Sequence, residues 1–201
     1  MPLSMEQLSL LIKIEAFRFT KKNPYELLWE SHMKVNKINM EVQTFNLFKV
    51  ARTTYKMPTF KQIPLAHAFN EMEYFGFPLC NPFELLVTKV TPSLSAKDLT
   101  HYINQEVIVY GYLVTYKKTH THTGALMQFG NFLDHTGHFI DTVHFPQITI
   151  LYPFRGRGIY LLKGMVMEEF DCIHINISQM EFLPIVEDPR YTDLKKGEKT
   201  T

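Results

Sequence analysis

At Gln105 the chain changes its period, and that change constrains the fold more than any other feature of the sequence. Upstream, apolar residues recur at spacings of three and four: Leu8, Leu11, Ile12 and Ala16, then Leu65, Ala68, Phe69, Met72 and Phe75. Such spacing builds the apolar edge of a helix. Downstream, the apolar runs are short, β-branched and aromatic, and polar turns divide them. Residues 107–114, 126–133, 138–145, 159–168 and 172–182 read as five strands, the last two paired as a hairpin across Glu169-Phe170-Asp171. A helical start followed by five strands defines an α+β chain.

Local signals place the boundaries. Ser4 with Gln7 makes a capping box at the first helix, and Asn23-Pro24-Tyr25-Glu26 combines an N-cap, a proline at the first helical position and an acid in the first turn. Residues 1–36 therefore read as a helical pair. Residues 37–63 lack any sustained period and read as a linker, with one apolar knot at Val42 to Phe48. Residues 64–104 read as a helical connector, opened by Pro64 and interrupted by Gly76 and Pro78. Residues 105–185 hold the strands, and 186–201 form a polar tail.

Five strands, a long first loop and a longer excursion between the third and fourth strands describe an OB-fold, a five-stranded Greek-key β-barrel. An SH3-like barrel is the rival; the strand count and the glycine bend at Gly111 in a long first strand favour the OB-fold. In OB-folds the first loop and the face of strands two and three contact oligonucleotides. The first loop here, Lys117 to Gly124, supplies Lys117 and Lys118 for phosphates and Tyr116, His120 or His122 as stacking planes. Arg155 and Arg157, each followed by glycine, are further candidates for phosphate contact. A solvated hairpin tip and a soluble turn explain the same residues without any ligand. Charge distribution divides the chain: residues 1–64 hold ten basic against five acidic side chains, residues 101–185 five against seven. A polyanion is favoured by the N-terminal third and by local clusters further on, not by a field over the barrel.

Other chemistry finds little footing. His120 with His122, and His135 with His138, have chelating spacings, but no cysteine accompanies them and both pairs fall in turns, so no metal is expected. Cys80 has no glycine-rich turn or assignable base, and no phosphate loop, dinucleotide fingerprint, zinc-protease or nucleophile-elbow motif occurs. Nor does a set of strand-borne aspartates suited to two metal ions. The chain reads as a non-enzyme without cofactor. No apolar run approaches the roughly 18 residues of a membrane span, and the N-terminus has no secretory signal pattern. Two distant cysteines fit a reducing cytoplasm.

The knot around Gln43 has the character of a docking peptide, in which a glutamine bonds at a pocket rim while Leu47 and Phe48 fill the pocket. Anchoring of the linker on a neighbouring helix is the plainer alternative. Taken in order, Leu11 to Thr20 with Glu26 to Glu30, Ala68 to Leu86, Gly111 to Val114, Met127 to Asp134 and Asp141 to Pro146 resemble the C-terminal region of the bacterial replicative DNA polymerase III alpha subunit, in its Bacteroidetes forms. That region joins the end of a helix-hairpin-helix segment to an OB domain. The resemblance implies a non-catalytic segment of a replicative polymerase, without the catalytic aspartates of the parent. It also implies single-stranded DNA template on the OB domain near Lys117 and Lys118, the sliding clamp on Gln43, Leu47 and Phe48, and other replisome subunits as partners. Two departures are visible: three residues separate Gln43 from Leu47 where the family has two, and Glu15 stands where the family has glycine. The alternative reading is a protein-interaction module that docks replisome subunits with little affinity for DNA.

Overall fold

A computed structural model describes residues 3–41, 58–91 and 94–191, with side chains left undescribed over 35–41. Two compact units divide the chain: one runs to Pro78 and resumes at Asp188, the other is Leu79–Glu187. Among the described residues no helix is long and apolar enough to cross a membrane.

In the first unit, α1 (Met5–Lys13) starts on the reciprocal cap read from the sequence: Gln7 N donates to Ser4 Oγ at 3.2 Å and Ser4 N to Gln7 Oε1 at 3.0 Å. Ile12 is its buried residue. The chain then reverses through Glu15, which adopts a left-handed φ of 57°. L-residues with a Cβ are strained there, whereas glycine is not. Next comes α2 (Pro24–Glu41), in which Asn23 Oδ1 accepts from Tyr25 N at 2.9 Å. This helix runs five residues past the expected end at 36, where Lys37, Met40 and Glu41 are good helix formers but no apolar stripe marks the extension in the sequence. On this helix Ser31 is buried and His32 exposed.

The third helix, α3 (Ala66–Phe75), ends at Gly76 with φ 79°, the left-handed cap that glycine favours. Asn70 Nδ2 donates to the Lys13 carbonyl at 3.2 Å, tying α3 to α1. The segment after Asp188, expected to be a polar tail, returns to this unit. Its Arg190 donates to Asp188, to Glu73 at 2.7 Å and to Asn70 at 2.6 Å. Hydrogen bonds from Arg190, ahead of the cost of burial, hold the Asp188 carboxyl below its usual range.

In the second unit lie β1 (Glu106–His120), β2 (Leu126–Leu133), β3 (Phe139–His144), α4 (Pro146–Leu151), β4 (Ile159–Glu169) and β5 (Cys172–Leu183). They close a barrel in the order β1-β2-β3-β5-β4, antiparallel except for the β3–β5 pair. A closed five-stranded barrel with this order and a helix between β3 and β4 is the OB-fold expected from the strand count. Alternate residues of each strand fill it, with Leu113, Phe132, Ile140, Tyr160, Leu162 and Ile175 all essentially inaccessible. Burying such side chains is worth about 1.5–3 kcal/mol each. Asp134 clamps the barrel's edge: its carboxylate accepts from the backbone of Ala96, Thr136 and His138 at 2.7–2.8 Å. Burial would raise its pKa, and these donors outweigh it and lower it.

Two expectations change. The stretch from 146 to 158 is not wholly irregular, because Pro146 at the first helical turn begins α4. The first strand continues to His120, paired through Thr119↔Met127 and His120↔Leu126, so Lys117, Lys118 and His120 are strand residues and the turn shrinks to 121–125.

Closure needs sharp bends, and two register shifts provide them. One lies between Leu113 and Thr115, with Val114 of β1 as the extra residue; the other lies opposite Lys163/Gly164, with Ser178 of β5 as the extra residue. At the second, a Cβ on Gly164 would lie 2.3 Å from the Asn176 carbonyl oxygen. Gly164→Ala should therefore cost about 1–3 kcal/mol by urea denaturation. At the strained α1–α2 reversal, Glu15→Gly should gain about 1 kcal/mol in the same assay, against the usual sense of a glycine substitution.

Candidate nucleic-acid interface

Strand register sorts the side chains of the barrel into two faces, since directly paired residues lie on the same side of a sheet. One outward row runs Lys117–Phe129–Val143–Asn176–Met165 across β1, β2, β3, β5 and β4. The next runs Thr115–Asn131–Asp141–His174–Met167. Over β2, β3 and β5 these rows floor a groove of 640 Å³, whose lining also includes Met127, Phe145 and the hairpin residues Glu169, Phe170 and Cys172. Strands two and three together with the β4–β5 loop are the ligand-binding side of OB barrels in general.

The groove is aromatic and polar but poor in cations. Phe129 and Phe145 are 41% and 46% exposed, and Phe170 is 99% exposed. Phe170 and Asp171 turn the β4–β5 hairpin with φ values of 51° and 60°. Two consecutive left-handed residues are the demand of a tight hairpin turn, usually met by Asn-Gly. A phenylalanine there is strained and gains nothing from burial. On the floor, Asn131 Nδ2 donates to Asp141 Oδ1. No Lys or Arg among the described residues lines the groove; Lys117 stands at its edge, paired with Phe129.

The residues singled out from sequence are divided by this register. Lys117 lies on the groove face. Tyr116, Lys118 and His120 pair with Gly130, Gln128 and Leu126 and so share the opposite face. His122 is exposed in the β1–β2 turn. Tyr116 stacks on Phe154 at 4.8 Å between ring centroids, and the Lys118 ammonium lies 5.9 Å from the Tyr116 ring. Arg155 follows Phe154 on the α4–β4 segment and is positioned by its backbone N, which donates to the Tyr160 hydroxyl at 3.0 Å. Arg157 is exposed on the same segment. The seven candidates thus do not form one surface: the first loop and the α4–β4 segment provide a flank, and the groove is built mostly of residues the sequence reading passed over. Gln43, Leu47 and Phe48 lie outside the described residues. Among the described residues no group of three His, Cys, Asp or Glu could hold a metal, so the two histidine pairs do not gather further ligands.

Behind the groove sits a buried polar pair. Thr142 Oγ1 donates to the Gly130 carbonyl at 3.0 Å, so its contact with His144 Nε2 at 2.9 Å requires the hydrogen on that nitrogen. His144 Nδ1 is left without a partner. Burial pushes the imidazole down to about 4.

No family model matches the sequence, and no curated protein matches it closely enough to count as a relative. Solved structures with a similar fold include the protein PriB from Ralstonia solanacearum, at 12% identity over 38% of this chain and 95% of that one, TM-score 0.33. Another is the single-stranded DNA binding protein from Thermus aquaticus, at 14% identity over 41% of each chain, TM-score 0.36. The second OB-fold domain of replication protein A from Methanococcus maripaludis is similar at 14% identity over 42% of this chain and 90% of that one, TM-score 0.32. This chain thus spans well under two thirds of the Thermus aquaticus protein. The fold assignment rests on the strand order and the parallel β3–β5 pair, not on these scores.

The folded-state pKa of His144 lies below its ordinary value of 6.5. Stability is therefore complete above that pH and falls as the unfolded chain takes up the proton, levelling near pH 4. The loss should be about 3 kcal/mol. Urea midpoints measured from pH 7 to pH 4 should drop more in the wild type than in His144→Gln.

Proposed function

We propose that the barrel is a non-catalytic module that binds single-stranded nucleic acid, with DNA as the natural partner, in the groove over β2, β3 and β5. The carrying observation is Phe170: a fully exposed aromatic on a strained hairpin turn, standing with Phe129 and Phe145 around one groove. Unstacked bases offer π-faces to such side chains, and each stacked base is worth roughly 1–3 kcal/mol. Lys117 at the groove edge, with Lys118, Arg155 and Arg157 on the flank, would receive the backbone. The short supply of cations on the floor supports a mode in which bases contribute more than phosphates.

The finer proposal is that this segment serves a replicative DNA polymerase. The order of a helical reversal followed by an OB barrel supports it, as does the left-handed backbone at Glu15, where that family carries glycine. In that setting the segment handles template, while Gln43, Leu47 and Phe48 dock the sliding clamp and other surfaces meet further replisome subunits. Seven acids against five basic residues over 101–185, with Asp141 and Glu169 in the groove itself, favour a second reading, a protein-docking barrel with little affinity for DNA.

Anisotropy of a labelled single-stranded oligonucleotide separates the two. Phe170→Ala should weaken binding by about 1–3 kcal/mol while leaving the urea midpoint unchanged. Lys117→Ala should lower the salt slope by about 0.7, the single-strand value per phosphate, and Lys118→Ala, facing the other way, should lower it less. Absence of binding at low salt would leave the protein-docking reading in its place.

A further inference from the structure

Resting on the single-strand reading, we infer that the groove selects guanine, through the Asp141 carboxylate held by Asn131. The floor of the groove has an excess of acceptors. Asp141 lies in the middle of one cross-strand row, with Asn131 on one side and His174 on the other. Asn131 Nδ2 donates to Oδ1 and so fixes the carboxylate's orientation, while Oδ2 receives no hydrogen bond from any described residue. In the adjoining row, the side-chain oxygen of Asn176 is buried and also has no hydrogen-bond partner. An acceptor removed from water without a donor costs about 1–3 kcal/mol. That cost falls on Asn176 alone, since Asp141 is exposed to water; together the buried oxygen and the oriented, solvated carboxylate suit a ligand with clustered donors.

Among the bases, guanine alone presents two adjacent donors on its pairing edge, N1–H and the N2 amino group. They match the two oxygens of a carboxylate, and the second amino hydrogen remains available to an amide oxygen such as that of Asn176. Adenine and cytosine each present one amino donor beside a ring nitrogen whose lone pair repels a carboxylate. Thymine presents one N–H between two carbonyls. Phe129, Phe145 and Phe170 around the same groove supply the stacking surfaces that hold a base with its edge toward the strands. Glu169 and His174 are the other titratable groups in the lining, apart from Cys172. A groove with carboxylates and no lysine or arginine in its lining repels phosphate, so the base must be what enters it.

The test is anisotropy at low salt with the full chain and labelled oligothymidylate of about 15 nucleotides, a length that covers one OB barrel. Parallel titrations use the same strand with one central dG, and with inosine in its place, which keeps N1–H and lacks the N2 amine. The dG strand should bind roughly tenfold more tightly than oligothymidylate, as expected of a good bidentate contact, with inosine between them. Asp141→Asn should abolish that preference and tighten oligothymidylate binding, since a repelling charge is removed and Asn131 keeps an acceptor. Equal affinity for all three strands would overturn the selectivity and leave the single-strand reading standing. A dG preference that survives in Asp141→Asn would overturn the role of the carboxylate. Failure of every strand to bind would overturn both the selectivity and the reading it rests on.

Discussion

Three residue pairs between β3 and β5 determine most of what this barrel can do. Asp141↔His174, Thr142↔Ile175 and Val143↔Asn176 form the parallel seam that turns a five-stranded meander into a closed cylinder. Closure pairs β1 with β4 over Glu106–Tyr112 and with β2 over Tyr112–His120, so the halves of the strand on either side of Tyr112 each have a single partner among the described strands. It also sets the two sides of the seam against each other: Thr142 and Ile175 point into the core, while Asp141, Val143, His174 and Asn176 point out. The groove exists because the outward residues of three strands are brought into one surface at this seam. Bulges in β1 and β5, and the small space at Gly164, supply the curvature that lets the seam form.

The interior beneath the groove is less uniform than an ideal apolar core. Phe154 packs at a tilt against Tyr116 on one side and meets His144 edge-on, and lies near Phe132 and Tyr160 as well. A Cβ on Gly130 would meet Thr142, Phe132 and Phe154 within 3.1 Å, so the aromatic packing reaches the backbone of β2 directly. Thr142 uses both its donor and an acceptor site, while His144 Nδ1 and, opposite it on β2, Gln128 Oε1 are left without partners. Close packing of this kind fixes the β2–β3 ladder on its inner side, and thereby the spacing of the outward residues above it.

How far the sequence revealed this arrangement depended on how local each signal was. The bounds of β2 and the starts of β4 and β5 could be read from β-branched and aromatic runs. The second half of β1 could not: Thr115 to His120 is polar on both faces, so no contrast marked it as strand, and its pairing with β2 alone makes it one. A six-residue helix such as α4 is too short to display a period. For the groove the obstacle was register. Which of Lys117 and Lys118 faces Phe129 depends on the shift at Leu113/Thr115, and Asp141 meets Asn176's strand only through a pairing 33 residues away in sequence. Phe170 was visible as part of a turn, but a turn residue's exposure and backbone strain are not written in its identity.

The scarcity of cations in the groove has a consequence for the form of nucleic acid it would admit. A duplex keeps its bases stacked inward and shows an approaching protein two ridges of phosphate. Such a surface would meet Asp141 and Glu169 across the groove and find no aromatic face to engage. A strand with splayed bases offers the opposite aspect and can leave its charged backbone at the rim near Lys117. Under the single-strand proposal, the carboxylates of the groove would thus act as a filter on strandedness, rejecting the paired form by charge before any base is recognised.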